Sequence, residues 1–279
     1  MVAPTDNSVL EKGRAALTVE LVYGASTVTS AFATSPMKLL TPHSRGPSVW
    51  AFTSSFGGGL VAGDQTRLEL HVGPDARCFL GTQAATKVYR NPAHRLSGHQ
   101  TRATLGENGI LIFAPDPVQA FADSIYNQHQ EFRLATGSGL ALVDWFTSGR
   151  AARGERWAFH QFQSRNEAFL NGERIFLDSL LLDQTQSPRV AAHLGRCNCV
   201  ALLLLLGPPL QAAARRLLED VAAQPVPRRA PLVCSASPVA DGALLRVAGE
   251  SVEAVGRELH RHLNFAGELL GDDPWARKW

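Results

Sequence analysis

Arg67-Leu68-Glu69-Leu70-His71-Val72 sets a polar or charged residue against an aliphatic one at every step. A period of two places Leu68, Leu70 and Val72 on one face of an extended chain, the pattern of a strand with one face buried. The same period recurs on either side. Upstream, Leu17, Val19, Leu21 and Tyr23 alternate with Thr18, Glu20 and Val22. Downstream, strands are expected at 109–113, 131–135, 140–146, 157–162 and 174–182. Gly73-Pro74-Asp75, Asn91-Pro92, Glu107-Asn108-Gly109 and Asn171-Gly172 separate them with turn signals. Many short strands divided by turns describe a mainly β body.

The last third changes character. Residues 199–206 form a continuous apolar run, consistent with a strand buried on both faces. After Pro208-Pro209, residues 210–223 read as a helix, with Leu217, Leu218 and Val221 at helical spacing and Pro225-Val226-Pro227 as the stop. A second helix is expected over 251–267. Ser251 is its N-cap candidate, and Val252, Val255, Leu259 and Leu263 share one face. No fixed-period repeat and no domain linker is visible.

Composition bounds the function. The 279 residues carry 27 Lys+Arg against 25 Asp+Glu, for a formal charge of +2, and 45% are hydrophobic. That apolar content excludes a disordered chain, and the balance of charge leaves no basic stripe for nucleic acid. The longest apolar run, Val200 to Leu206, is far short of the ~20 residues that cross a bilayer. Met1 to Gly13 contains no apolar core of a secretory signal. A cytoplasmic protein with neither nucleic acid nor membrane as partner is expected.

Signatures of catalysis are missing. There is no Gly-Lys dipeptide for a phosphate loop, no Gly-x-Ser-x-Gly elbow and no His-Glu-x-x-His zinc motif. Gly137-Ser138-Gly139 reads as a turn or bulge. Cys197 and Cys199 have no second close-spaced pair, so the four cysteines are expected as buried apolar residues. His260 and His262 stand two apart on the second helix and are expected to face solvent. Asp116 and Asp123 could serve as the paired carboxylates of a β-rich carbohydrate hydrolase, though no spacing singles out an acid and a base. An unrelated β-rich binding scaffold is the third possibility.

Two segments stand out. In Gly57-Gly58-Gly59-Leu60-Val61-Ala62-Gly63-Asp64, adjacent glycines within an apolar frame suggest backbone at positive φ or pressed against a neighbour. There Asp64 reads as a turn residue. Thr82-Gln83-Ala84-Ala85-Thr86-Lys87-Val88-Tyr89-Arg90 brings hydroxyls, an amide, Lys, Tyr and Arg together without an amphipathic purpose.

Their order along the chain resembles the urease accessory protein D family, UreD or UreH. Ser35 to Leu40 (Ser-Pro-Met-Lys-Leu-Leu) precedes them. Pro115-Asp116-Pro117, Phe121 to Ser124, Asp144 to Arg150 (Asp-Trp-Phe-Thr-Ser-Gly-Arg), Arg153-Gly154-Glu155 and the Arg277-Lys278-Trp279 ending follow. The resemblance spans nearly the whole chain, and two of its motifs look closer to the plant and fungal branch. Ala62 departs from it, since the family often has another Gly there.

The resemblance implies one UreD-type domain over 1–279, with a long, coiled, β-helix-like stack of strands and two C-terminal helices. It implies a non-enzymatic maturation factor for urease that binds the urease structural subunits, UreF and, through UreF, the GTPase UreG. It also implies no tightly bound cofactor, only nickel in transit along an interior channel to the dinuclear urease site. Asp64, Thr82, Gln83, Asp144 and Glu155 are then the polar candidates for the nickel path. Lys87, Tyr89 and Arg90 are candidates for partner contact or for holding the fold. For each, a purely structural role in a turn or buried hydrogen bond stands beside the functional one.

Overall fold

A computed structural model describes residues 12–186 and 189–276. In chain order its strands are β1 (Arg14–Val22), β2 (Ala25–Ala33), β3 (Met37–Leu40), β4 (Val49–Ser55), β5 (Gly59–Leu60) and β6 (Gln65–Val72). They continue as β7 (Arg77–Thr82), β8 (Thr86–Val88), β9 (Leu96–Leu105), β10 (Ile110–Phe113), β11 (Val118–Ala120) and β12 (Ile125–Leu134). The last six are β13 (Gly139–Thr147), β14 (Gln161–Leu170), β15 (Glu173–Asp183), β16 (Cys199–Leu206), β17 (Leu232–Val239) and β18 (Gly242–Gly249). The helices are α1 (Val190–Leu194), α2 (Gln211–Ala223), α3 (Val252–His262) and α4 (Ala266–Leu270).

The chain is mainly β and winds as a solenoid. One sheet has the order β15-β14-β12-β9-β6-β1-β2. Its members from β1 to β14 are parallel, and an antiparallel hairpin closes each end. In the second sheet β4, β7, β10 and β13 stack in parallel, and β16, β18 and β17 extend it antiparallel. The short parallel strands β5, β8 and β11 form a third wall.

Three successive coils place Leu68 beside Thr101, Thr101 beside Gln130 and Gln130 beside Asn166, steps of 33, 29 and 36 residues. Unequal return loops therefore hide the coil period from the sequence. The opposite corner is regular. Asp75, Asn108 and Gly137 take φ of 56°, 55° and 75° at equivalent turns, and these are residue types that tolerate the left-handed region. Asn108 Nδ2 donates to Asp75 Oδ1 at 3.1 Å, tying one coil to the next.

Helices α2, α3 and α4 cover the second sheet, while Val190 of the short α1 joins the cluster of Tyr126, Trp157 and Phe162. Leu217, Val255, Leu259 and Leu263 meet Phe79, Leu203, Leu205 and Leu245 on that sheet. Ser251 caps α3, its Oγ accepting from Ala254 N at 3.1 Å. The helix expected over 251–267 ends at His262 and resumes as α4, and the short α1 is an addition. The strand expected at 157–162 starts at Gln161 instead, because Trp157 and Phe159 turn into an aromatic cluster with Phe146 and Phe162. No described helix is long and apolar enough to cross a membrane.

Candidate functional site: a polar chamber inside the solenoid

The stacked coils make columns of identical orientation, and the interior is sorted by column. One dry layer holds Leu17, Leu70, Ala103, Phe132 and Ala168 in register, facing Cys78, Leu111 and Leu140. The next two columns are polar: Thr101, Gln130 and Asn166, then Thr66, His99, Gln128 and Ser164. Beyond them lies the aromatic layer of Tyr126, Phe146, Trp157, Phe159 and Phe162. A polar chamber is thus held between two apolar layers.

Asp144 projects into it from β13, a strand otherwise almost wholly buried. Its Oδ1 accepts from Gln128 Nε2 at 2.8 Å; its Oδ2 accepts from Ser164 Oγ at 2.6 Å and Asn166 Nδ2 at 2.7 Å. Gln130 Nε2 in turn donates to Asn166 Oδ1 at 2.8 Å, and Tyr126 OH to Gln128 Oε1 at 3.2 Å. All three donors to the carboxylate are neutral. Burial pushes the Asp144 carboxyl above the usual carboxylate range; the three hydrogen bonds oppose this, and the nearby Asp178 charge adds to it. Burial, with Asp144 next, also pushes the Tyr126 phenol up.

A cavity of about 100 Å³ leads to this carboxylate, room for several waters at roughly 10–15 Å³ each. It runs from the turn at Ala84, Ala85 and Thr86 past Thr82, Asp116 and His99 to Gln128 and Asp144. Thr82 Oγ1 donates to Asp116 Oδ2 at 3.0 Å and accepts from Asp116 N at 2.7 Å. His99 lies between Thr66 Oγ1 (2.8 Å) and Thr101 Oγ1 (3.1 Å), and burial pushes its imidazole down to about 4, neutral at pH 7. Among the described residues no cluster of three His, Cys, Asp or Glu could hold a metal ion.

Of the residues read from sequence as a nickel path, the fold brings Thr82 and Asp144 to this cavity. Asp64, Gln83 and Glu155 are elsewhere. Asp64 closes its own turn, Oδ2 accepting from Val61 N at 2.9 Å while its N–H donates to Val61 O at 3.0 Å. Gln83 is exposed, with its N–H bonded to Thr53 O. Glu155 clasps Arg150 on the surface, and that hydrogen bond holds its carboxyl below the usual range. Tyr89 OH donates to Gly57 O at 2.7 Å, Arg90 Nε to Asp123 Oδ2 at 3.0 Å, and Lys87 is exposed on β8. Asp116 lines the cavity, while Asp123 is not among its lining residues and pairs with Arg90.

The glycine turn is the partition between inside and outside. Gly58 lines the interior cavity, whereas Gly57 and Gly59 line an outer cleft of about 470 Å³ with Asp64, Tyr89, Phe56 and Val61. Gly57 and Gly58 have φ of 76° and 70°, and a Cβ on Gly59 would lie 2.4 Å from Lys87 O. The family motifs around Ser35, Gly57 and Thr82 therefore meet at one wall.

Two sequence expectations need correction. His262 is buried, not solvent-facing: its Nε2 lies 3.2 Å from Glu258 Oε1 one turn earlier, and burial pushes its imidazole down. Of the cysteines, Cys78 and Cys199 are buried, while Cys197 and Cys234 are only half-buried. The Arg277–Trp279 ending lies outside the described residues. Sequence reading missed His99, Gln128, Gln130, Ser164 and Asn166. Their signal was present as polar residues at every second position of β9, β12 and β14, where a dry core would carry aliphatics.

The fold and site define a β-solenoid scaffold whose interior holds a cavity where Thr82, His99, Asp116, Gln128 and Asp144 stand among apolar side chains. The family model described as UreD urease accessory protein matches residues 11–279. A urease accessory protein UreD of Anaeromyxobacter sp. (strain Fw109-5) is 41% identical over 268 residues, covering 96% of this chain and 90% of its own. One of Sorangium cellulosum (strain So ce56) is 45% identical over 269 residues, covering 96% and 84%. Urease accessory protein D of Oryza sativa subsp. indica is 33% identical over 288 residues, covering 93% and 94%. These two bacterial relatives are more similar overall than the plant one, whatever the wording of single motifs. The chain belongs to the UreD urease accessory protein family.

Proposed function

We propose that this protein is a non-enzymatic maturation factor of urease, acting in the cytoplasm, that passes nickel through its polar chamber. It binds the apo-urease structural subunits and UreF, and reaches the GTPase UreG through UreF. The observation that carries the reading is Asp144: a buried carboxylate at the end of a cavity, satisfied by three neutral donors and given no cation among the described residues. An ionised carboxylate in that setting is costly until a cation joins it. A passing Ni²⁺ is such a cation. With His99 neutral and Asp116 beside Thr82, the chamber offers imidazole, carboxylate and hydroxyl groups singly along the way, enough to assist passage and too few to trap the ion.

The test is co-expression with apo-urease and the other accessory proteins under fixed nickel supply. Omission of this chain is expected to abolish activation. Asp144→Asn, which keeps the side-chain shape and removes the charge, is expected to lower activation while the protein still folds and co-purifies with its partners. Full urease activity with the chain omitted overturns the assignment; full activity with Asp144→Asn removes Asp144 from the path.

A further inference from the structure

The two ends of the second sheet carry opposite charge. At one end β13 and β18 finish and β16 and β17 begin, and three loops meet there. Ser148 N donates to Asn198 O at 2.7 Å, Asn198 N to Gly249 O at 2.8 Å and Glu250 N to Pro231 O at 2.9 Å, joining them. The first loop, 148–157, brings Arg150, Arg153 and Arg156. The second, 189–198, brings Arg189 and Arg196; the third, 227–231, brings Arg228 and Arg229. Against these seven arginines stand only Glu155, Glu250 and Glu253, leaving a formal +4 in a chain whose total is +2. The turns of the other end, 73–76, 106–109, 135–138 and 240–241, hold Asp75, Glu107 and Asp241 and no Lys or Arg.

Three of the arginines hold the basic end together. Arg156 donates to Asn198 Oδ1 at 2.6 Å and to Gly195 O at 2.9 Å, Arg196 pairs with Glu250 at 2.6 Å, and Arg150 clasps Glu155. The other four, Arg153, Arg189, Arg228 and Arg229, are exposed and make no ion pair among the described residues. Beside them Val226 is 69% exposed between Pro225 and Pro227. Solvation accounts for arginines scattered over a surface. It does not account for four unpaired ones gathered at one end, where they repel, while acids collect at the other. Arginine beside an exposed apolar side chain is the composition of a protein interface. Three glutamates lie among the arginines, and the remainder of the chain is formally −2. A long polyanion tracking this surface meets repulsion, whereas a compact acidic protein face does not.

We propose that this arginine end is the docking surface for an acidic face of apo-urease. The inference rests on the function proposed above and adds to it the place where the partner is met. That place borders the chamber. Val118 of β11 lines the cavity and pairs with Phe146 of β13, and the next residue, Gln119, donates through Nε2 to Gly149 O at 2.9 Å in the first arginine loop. A partner seated on the arginines therefore lies beside the wall of the chamber. Opposite charges at the two ends also orient the protein as it approaches an acidic face.

The test is the association of the full chain with purified, nickel-free urease structural subunits over a salt series, with thermal unfolding as the check on folding. Reversing the unpaired charges with Arg153→Glu, Arg228→Glu and Arg229→Glu together is expected to lower the association rate about tenfold or more at low salt. The difference is expected to shrink as salt screens the field. Lysine at the same three positions is expected to keep the rate, which a role in packing does not predict. Glu107→Lys, at the acidic end, is expected to leave it within about twofold. Should the reversed protein melt early, glutamine at the three positions replaces glutamate, with a loss of about threefold expected. Equal rates for the reversed and unaltered proteins overturn the proposal. So does binding of a short DNA duplex or an anionic vesicle that the reversal abolishes while apo-urease association is untouched. If the reversed protein binds and activates urease as the unaltered one does, the surface fails and the maturation reading stands. If the unaltered chain binds no apo-urease and its omission leaves activation intact, the maturation reading fails and the surface with it.

Discussion

Asn166 and Glu167 are neighbours in the chain and point to opposite faces of β14, and the two faces treat a carboxylate in opposite ways. Outside, Glu167 accepts two bonds from Arg165, at 2.9 Å each, one from Arg174 at 3.2 Å, and lies 2.8 Å from His129 Nε2. The Arg165 hydrogen bonds, reinforced by His129 and Arg174, hold its carboxyl down at about 2. Inside, Asp144 has Gln128, Ser164 and Asn166, all neutral, and burial pushes its carboxyl up. The outer carboxylate comes with its cations supplied by the chain. The inner one accepts hydrogen bonds from neutral groups and meets no positive charge among the described residues, and on the function proposed above that difference separates a structural acid from one available to cargo.

The strongest way to break this contrast is to remove each acid in turn. Asp144→Ala is expected to lower urease activation on the order of tenfold or more, the scale seen when groups around a metal are removed. It is also expected to destabilise the fold by ~1–3 kcal/mol, because buried donors lose their acceptor. Glu167→Gln is expected to lower the unfolding temperature and leave activation unchanged. Activation assays beside thermal melts check both, and equal losses of activation would erase the distinction between the faces.

A pH series sharpens it, since the two acids carry opposite signs. Asp144 has a raised folded pKa, so the stability it contributes is present at low pH and is lost as pH rises through that value. Asp144→Asn is therefore expected to melt at or above the unaltered protein at pH 8, by ~2–4 °C, with the gain vanishing on acidification. Glu167 has a depressed folded pKa. Its contribution is present above the ordinary value of 4.5 and is lost as pH falls towards about 2. The deficit of Glu167→Gln should shrink only in that acid window. Parallel melting curves for both variants across pH would contradict the assignment of charge states.

A smaller effect is expected where inside and outside are separated by a single turn. Gly59→Ala drives a methyl against Lys87 O, which pairs β5 with β8, and is expected to lower both soluble yield and unfolding temperature. Gly57 has open space around its missing Cβ but sits at φ 76°, so Gly57→Ala is expected to cost only ~1–2 kcal/mol from backbone strain. Comparable damage from both would mean the wall is set by backbone conformation alone.

Much of the outer shell was legible in the sequence because charge alternates there with aliphatics. Arg67 to Val72 and Leu17 to Val22 show it, and both are strands of the first sheet. The polar chamber was legible only in part. Asp144 and Thr82 were found through motif resemblance. Gln128, Gln130, Ser164 and Asn166 were passed over because polar residues on both faces of β12 and β14 abolish the hydrophobic period. Only the long-range register, with Gln128 between His99 and Ser164, turns those residues into one column. His262 was misjudged for a related reason: a hydrogen-bond contact with Glu258 lets a polar ring sit on the buried face of α3, and helical spacing does not reveal that.

The smallest expected effect lies on the open face of the first sheet. Arg14 and Glu69 meet at 3.2 Å with side chains 34% and 42% exposed. Such pairs gain little in high dielectric and are screened by salt, with typical couplings of ~0–1 kcal/mol. A double-mutant cycle with Arg14→Ala and Glu69→Ala is therefore expected to give a coupling near the lower end of that range. Urease activation should be unchanged in all three variants. Since no described helix lies over this face, as α2 and α3 lie over the second sheet, it is also where an unseen protein contact would register. A loss of activation in either variant larger than its loss of stability would mean that the outer face serves a partner. The contrast would then be between two functional faces, one for cargo and one for docking.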